Sequence, residues 1–171
     1  VLAAGATERP IAFVNNDRPG VMMAGAVRAY ANRWAATAGK SVAIFTNNDN
    51  GLRTASDLEA KGVAIAAVID ARKGEMVTDT GGRLGLRSIT IRDGEGRSRT
   101  VACDALAISG GWNPNLQLTC HQRNRPVWHD GLQAFVPADV PADMIVAGAA
   151  KGLFSTHQAL TSGADAAATA L

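Results

Sequence analysis

Aromatic side chains are scarce in this 171-residue chain: three Trp, four Phe and one Tyr make up 5% of it, so a core must come mainly from Ala, Val, Ile and Leu. Cysteine is rarer still. Cys103 and Cys120 lie far apart and form neither a CxxC nor a metal-ligand spacing, and they read as two reduced thiols of a cytoplasmic protein. No uninterrupted apolar run reaches the roughly 18 residues that a membrane-spanning helix needs. The alanine-rich ends carry no basic leader before an apolar stretch, so they do not read as a signal peptide. Neither sign of charge dominates. Seventeen Lys and Arg against 15 Asp and Glu leave a net charge of +2, and the basic residues are scattered rather than striped, so no nucleic-acid partner is expected.

Glycine, by contrast, is abundant. Eighteen glycines point to many tight backbone approaches, as α/β nucleotide folds use them. Val1 to Ala4 reads as a short buried strand ending at Gly5, and Ile11 to Val14 extends the chain to the turn-rich Asn15–Gly20. From Val21 to about Ala36 the three- and four-residue spacing of Met22, Ala26, Ala29, Tyr30 and Trp34 predicts a helix, closed at Gly39. Ser41 to Phe45 is then a buried strand, Thr46 to Gly51 a polar turn, Leu52 to Lys61 a helix, and Val63 to Ile69 a second buried strand ending at Asp70. Strand, turn, helix and strand with a terminal acid outline a dinucleotide-binding βαβ unit.

The texture then changes. Leu84 to Ile91 alternates apolar and polar residues, Asp93–Gly96 turns, and Ser98 to Ala102 returns, as in an antiparallel meander with one solvated face. Asp104 to Ser109 is a buried strand leading to Gly110-Gly111-Trp112-Asn113-Pro114-Asn115. Beyond it, Pro126–Trp128 and Ala134–Pro137 are short extended pieces. Met144 to Ala147 is a last strand, Gly148 to Gly152 its turn, and Ser155 to Ala170 a helix.

Two strand-to-glycine junctions, at Gly5 and Gly148, look alike although they lie far apart in sequence. A glycine there either merely ends a strand or lets the backbone approach a cofactor without a Cβ in the way. The βαβ unit between them favours the second reading. Its own turn is unusual, because a pyrophosphate loop wants G-x-G-x-x-G, whereas Thr46-Asn47-Asn48-Asp49-Asn50-Gly51 keeps one glycine. Asp49 or Asn50 fits an N-cap, and Asp49 would repel a diphosphate at that helix start. Thr46, Asn47, Asn48 and Asp70 are the candidate nucleotide contacts of this unit, Asp70 either bonding a ribose or standing as a solvated strand-end acid. His121, His129 and His157 fit no compact ligand set, and no nucleophile–base pair or paired carboxylates stand out, so neither catalytic nor metal-binding residues are assigned. Lys40, Arg53 and Lys61 read as solvated.

These residues together resemble the flavoprotein family with two dinucleotide domains that includes thioredoxin and glutathione reductases. The resemblance rests on Ala3-Ala4-Gly5-Ala6, on the run from Asp104 to Asn115 and on Val146-Ala147-Gly148-Ala149-Ala150, in that order. A closer match is similar to α subunits of heterotetrameric sarcosine oxidases. It is carried by Gly5–Pro10, Asn16–Met22, Phe45–Asp49, Gly110–Pro114, Pro126–Trp128 and Ala147–Ser155.

The resemblance implies an α/β fold in which a Rossmann-like βαβ domain with an antiparallel meander, residues 38–115, is inserted into remnants of a second nucleotide-binding domain, residues 1–37 and 116–171. It implies that the glycine loop of that second domain lies upstream of Val1. Gly5, Ala6, Gly148, Ala149 and Ala150 would approach its nucleotide. Ala149 stands where flavin-binding relatives carry aspartate, which argues for NAD over a flavin. The implied function is that of the nucleotide subunit of a sarcosine oxidase complex, with FAD and FMN in a partner subunit doing the oxidative demethylation and folate bound by a module outside this chain. Two alternatives stay open. One is the subunit of a related amine-oxidising complex of opine oxidase, cyanide synthase or proline dehydrogenase type, and the other is a structural docking module whose dinucleotide site has decayed. Exposed apolar edges of the remnants would allow a non-native homodimer.

Overall fold

The computed structural model describes residues 1–170. Its elements in chain order are β1 (Ala6–Glu8), β2 (Val21–Met23), α1 (Ala24–Trp34), β3 (Ser41–Thr46), α2 (Asp49–Glu59), β4 (Ala64–Asp70), β5 (Met76–Gly81), β6 (Ser88–Arg92), β7 (Ser98–Ala102), β8 (Ala105–Ser109), β9 (Trp112–Pro114), β10 (Val127–His129), β11 (Ala134–Val136) and α3 (Thr156–Ala170). Short 3-10 turns lie at Ala71–Lys73, Gln117–Thr119 and Gly148–Lys151. The chain forms two compact units, one of residues 8–111 and one of residues 1–7 with 112–170.

The larger unit is a three-layer α/β fold of Rossmann-like type. Its central sheet runs β2-β8-β3-β4 with every neighbouring pair parallel. Strand β3 shows why the sequence folds this way: it is apolar on both faces, as a strand covered on both sides must be. Val42 and Ile44 pack on one side with Val27 of α1 and Leu58 of α2. Ala43 and Phe45 pack on the other with Val77, Ile89 and Ile91 of an antiparallel β5-β6-β7 sheet. Strand β8 divides its side chains in the same way, Ala105 and Ala107 to the helices, Leu106 and Ile108 to the meander.

Several local expectations shift. Val21–Met23 is a strand rather than a first helical turn, because Val21, Met22 and Met23 pair with Leu106, Ala107 and Ile108 of β8, and sheet pairing outweighs helical spacing in so short a stretch. Residues 8–37, grouped by sequence with the first domain, therefore supply an edge strand and a covering helix to this sheet. Helix α1 ends before Gly39, at Ala35, which takes a left-handed φ of 50°. Helix α2 starts three residues earlier than its apolar pattern suggested, at Asp49, and is capped by Asn48 rather than by Asp49 or Asn50. Strand β5 has no counterpart in the sequence reading, since Thr78, Asp79 and Thr80 interrupt its apolar signal.

In the smaller unit the strand expected over Val1–Ala4 reduces to a parallel bridge between Leu2 and Val146. Leu2 donates to the Ile145 carbonyl at 2.7 Å, and Ala147 donates back to Leu2 at 2.9 Å. Strand β1, whose Ala6 and Thr7 belong here, makes a two-stranded sheet with β9. Strands β10 and β11 form a hairpin that stacks Trp128 edge-on against Phe135, ring centroids 5.2 Å apart. Ala166 is the buried residue of α3.

Candidate functional site

An open parallel sheet offers ligands the space beyond the carboxyl ends of its strands. In the larger unit those ends are Met23, Thr46, Asp70 and Ser109, the last three buried. At the β3–α2 junction the Asn48 carboxamide works in both directions. Its oxygen accepts from the Gly51 N–H at 3.1 Å, capping α2. Its nitrogen donates to the Ser109 carbonyl and to Ser109 Oγ, each at 3.1 Å. Thr46 Oγ1 donates to the Ser109 carbonyl at 3.1 Å and accepts from the Asn48 N–H at 3.1 Å. Asn47 donates its N–H to the Ser109 carbonyl at 3.3 Å. Gly51 is where glycine is required: a Cβ there would lie 2.1 Å from Thr46 Oγ1, so its absence is what lets α2 sit on the end of β3.

Asp70, expected at this edge from sequence, is held within the chain. Its carboxylate accepts from Arg72 Nε at 2.9 Å, from Arg72 NH2 at 2.8 Å and from the Arg72 backbone N–H at 3.1 Å. The Arg72 guanidinium keeps the Asp70 carboxyl below the usual carboxylate range, and the pairing raises Arg72 in turn. Arg72 NH1 reaches on to Asp49 at 2.7 Å, joining the end of β4 to the start of α2. Across the sheet, Glu8 accepts from the Gly25 N–H at 2.8 Å, at the start of α1, where no side chain of the α1 N-cap does so. Burial pushes the Glu8 carboxyl up, against the opposing pull of hydrogen bonds from Ser109 and Gly25 and of the Arg28 charge. Arg28 itself is held by Asp57 at 2.9 Å and by Asn50 at 2.7 Å.

A dinucleotide is the ligand that this fold implies, and the fit can be tested on these contacts. Its phosphates need free N–H donors at a helix start and unneutralised cations, and its ribose needs a free acid. Here the Gly25 and Gly51 N–H groups, Asp70, Arg28 and Arg72 are all engaged by neighbours in the chain, so this edge does not match the group.

The smaller unit holds the other candidates. The parallel bridge of Leu2 and Val146 carries Gly5 and Gly148 to the same end of the two segments. Both take left-handed φ values, 75° and 64°, and a Cβ on Gly5 would meet nothing within 4 Å. Asn115, which the sequence reading placed only within a glycine-rich turn, fixes this end. Its backbone N–H donates to the Gly5 carbonyl at 3.0 Å, its Nδ2 to the Ala4 carbonyl at 2.9 Å, and its Oδ1 accepts from Thr7 Oγ1 at 3.0 Å. On the other segment, Gly148 donates its N–H to Ser162 Oγ at 3.3 Å and Leu153 donates to the Gly148 carbonyl at 3.2 Å. Ala6 and Ala149 are half-buried, while Ala150 is fully buried, so it offers a ligand no side-chain surface. A cavity of about 380 Å³ lies beside α3, lined by Val146, Lys151, His157, Ser162 and Asp165 among others.

His121 Nδ1 donates to the Leu118 carbonyl at 2.6 Å, and His129 Nδ1 accepts from the Leu132 N–H at 3.2 Å. Among the described residues no group of three or more His, Cys, Asp or Glu is placed to hold a metal ion, and no helix is long and apolar enough to cross a membrane. Of the residues that sequence reading missed, Arg72 had a signal, an arginine two positions after a strand-end acid. Glu8, Ser109 and Asn115 had none, because their partners lie 17 or more residues away.

No protein-family model matches the chain. Among curated proteins it is similar to sarcosine oxidase subunit alpha of Rhizobium meliloti (strain 1021), 40% identical over a gapped alignment of 178 positions that covers 96% of this chain and 18% of that protein. The subunit of the same name from Corynebacterium sp. (strain U-96) is 39% identical over a gapped alignment of 189 positions that covers 96% of this chain and 20% of that protein. The chain therefore spans about a fifth of the length of these relatives. Among solved structures it is similar to L-proline dehydrogenase from P. horikoshii, with a TM-score of 0.70 and 23% identity over 87% of this chain and 29% of that one. Lactococcus lactis thioredoxin reductase (FR conformation) gives a TM-score of 0.68 and 14% identity over 98% of this chain and 63% of that one. The fold is thus one found in oxidoreductases.

Proposed function

We propose that this chain is a stretch of the nucleotide-binding α subunit of a sarcosine oxidase-type complex. The observation that carries the reading is 40% identity to a sarcosine oxidase subunit alpha across nearly the whole chain. In this reading the larger unit belongs to an inserted domain, and the smaller contains the flanking parts of the first nucleotide domain. NAD is held in the intact subunit at the end where Gly5, Ala6, Gly148 and Ala149 converge. The open side of Gly5 and its left-handed backbone suit a close main-chain approach. Ala149 offers no carboxylate, which favours NAD over a flavin at that turn.

The chain then supplies binding and no catalytic residue. Oxidative demethylation of sarcosine proceeds at FAD and FMN in a partner subunit, with folate bound by a module outside these residues and the assembly in the cytoplasm. What these residues do is hold two chain segments in register: Asn115 pins the Ala4–Gly5 carbonyls and Ser162 the Gly148 N–H.

A second reading, the corresponding subunit of a proline dehydrogenase-type complex, draws on the fold likeness to L-proline dehydrogenase. Affinity purification of the intact complex through this subunit, followed by oxidation assays on sarcosine and on L-proline, separates the two. Preferential sarcosine oxidation is expected; L-proline oxidation alone selects the second reading. Turnover of sarcosine by this chain without a partner refutes both.

A further inference from the structure

We infer that the carboxyl edge of the parallel sheet in residues 8–111 is liganded by the chain itself and accepts no dinucleotide. Each position where this fold would seat part of such a ligand holds a side chain. The Glu8 carboxylate sits at the start of α1, accepting from Gly25 at 2.8 Å, as a bound anion does at a helix N-terminus. The Asn48 carboxamide takes the corresponding place on α2 and reaches Ser109 at the end of β8. Asn48 thereby ties the start of α2 to the end of β8.

The charges close in the same way. A diphosphate needs cations, yet Arg28 is forked onto Asp57 and Asn50, and Arg72 onto Asp70 and Asp49. The ribose position holds Asp70, whose side chain is 5% exposed and accepts from three Arg72 donors. Asp49, 88% exposed at the α2 start, adds negative charge where phosphate would approach. A turn with one glycine is thus closed by internal ligands, with the edge satisfied by the chain itself. This inference stands apart from the proposal that NAD is held at the Gly5–Gly148 end.

Two measurements on the full-length protein containing this chain test it. In calorimetric titrations with NAD and with NADP, Asn48→Ala and Asp70→Asn leave any measured Kd within twofold of the wild type. A tenfold or greater loss of affinity in either overturns the inference. Absence of binding in all three proteins agrees with it and counts instead against the NAD proposal. In the second measurement, Glu8→Ala vacates the acceptor position on the Gly25 N–H at the start of α1. Formate should raise its unfolding midpoint saturably, or restore folding if the variant does not fold alone. Glu8→Gln, which keeps an oxygen for Gly25, should show only the salt response of the wild type. An identical formate response in all three proteins overturns the assignment of Glu8 as an internal ligand.

Discussion

Replacing Asn48 by alanine removes four side-chain hydrogen bonds at once, of which the exposed one to Asn47 Oδ1 adds little, and the costs of the other three can be set out separately. The Gly51 N–H loses its acceptor at the start of α2, and loss of an asparagine N-cap costs about 1 kcal/mol. The two bonds from Asn48 Nδ2 to Ser109 also go. The Ser109 carbonyl keeps Thr46 Oγ1 and the Asn47 N–H as donors, so it is not orphaned, and this part costs about 0.5–1.5 kcal/mol. Together the variant should lose about 2 kcal/mol. Asn48→Ser retains a capping oxygen but cannot reach Ser109 in the same way, so it should lose about 1 kcal/mol. Equilibrium urea unfolding followed by far-ultraviolet circular dichroism measures both. An alanine variant within 0.5 kcal/mol of the wild type, or a serine variant as damaged as alanine, refutes the reasoning.

Other outcomes follow from neighbouring residues. Gly51→Ala gains about 1 kcal/mol of helix propensity, yet its Cβ would lie 2.1 Å from Thr46 Oγ1 and 2.5 Å from Thr46 Cβ. Net destabilisation of about 1–2 kcal/mol in the same urea assay is expected, and a more stable variant contradicts the packing account. Burial raises the Glu8 carboxyl above its ordinary 4.5, so the folded state holds that proton more tightly than the unfolded one. The Glu8 contribution to stability then falls as pH rises from the unfolded value through the raised folded value, and is flat beyond it. Glu8→Gln should lose that segment of the pH–stability curve; an unchanged curve assigns it elsewhere. The Cys103 thiol, pushed up to about 11 mainly by burial, should resist a maleimide at about pH 8 while half-buried Cys120 reacts. Equal labelling rates by mass spectrometry contradict this.

The β3–α2–β4 unit was legible because each strand is a continuous apolar run bounded by polar turns or glycine, and because a helix between them can only cross over to a parallel partner. Strand β8 was legible for the same reason. Strand β2 was not, since Val21-Met22-Met23 continues directly into α1 and its pairing with β8 lies 85 residues away. Strands β1 and β9 are three residues each, too short to carry a period. At the candidate sites, Gly5 and Gly148 stand out in the sequence because a glycine after an apolar stretch is a local signal. What holds them, Asn115 and Ser162, acts from distant sequence. The unusual Thr46–Gly51 turn was visible as a departure from a phosphate loop. The Asp70–Arg72 pair is local, but that Glu8 reaches Gly25 and Asn48 reaches Ser109 depends on residues 17 and 61 positions away, which spacing does not encode.

The proposal that NAD is held at the Gly5–Gly148 end and not at the β3–α2 turn makes a direct prediction for backbone protection. Hydrogen–deuterium exchange of the intact subunit with and without NAD tests it most directly. Slowed exchange in peptides covering residues 3–7 and 146–152, with residues 46–52 and 70–73 unchanged, is the predicted result. Protection confined to residues 46–52 and 70–73 would contradict it.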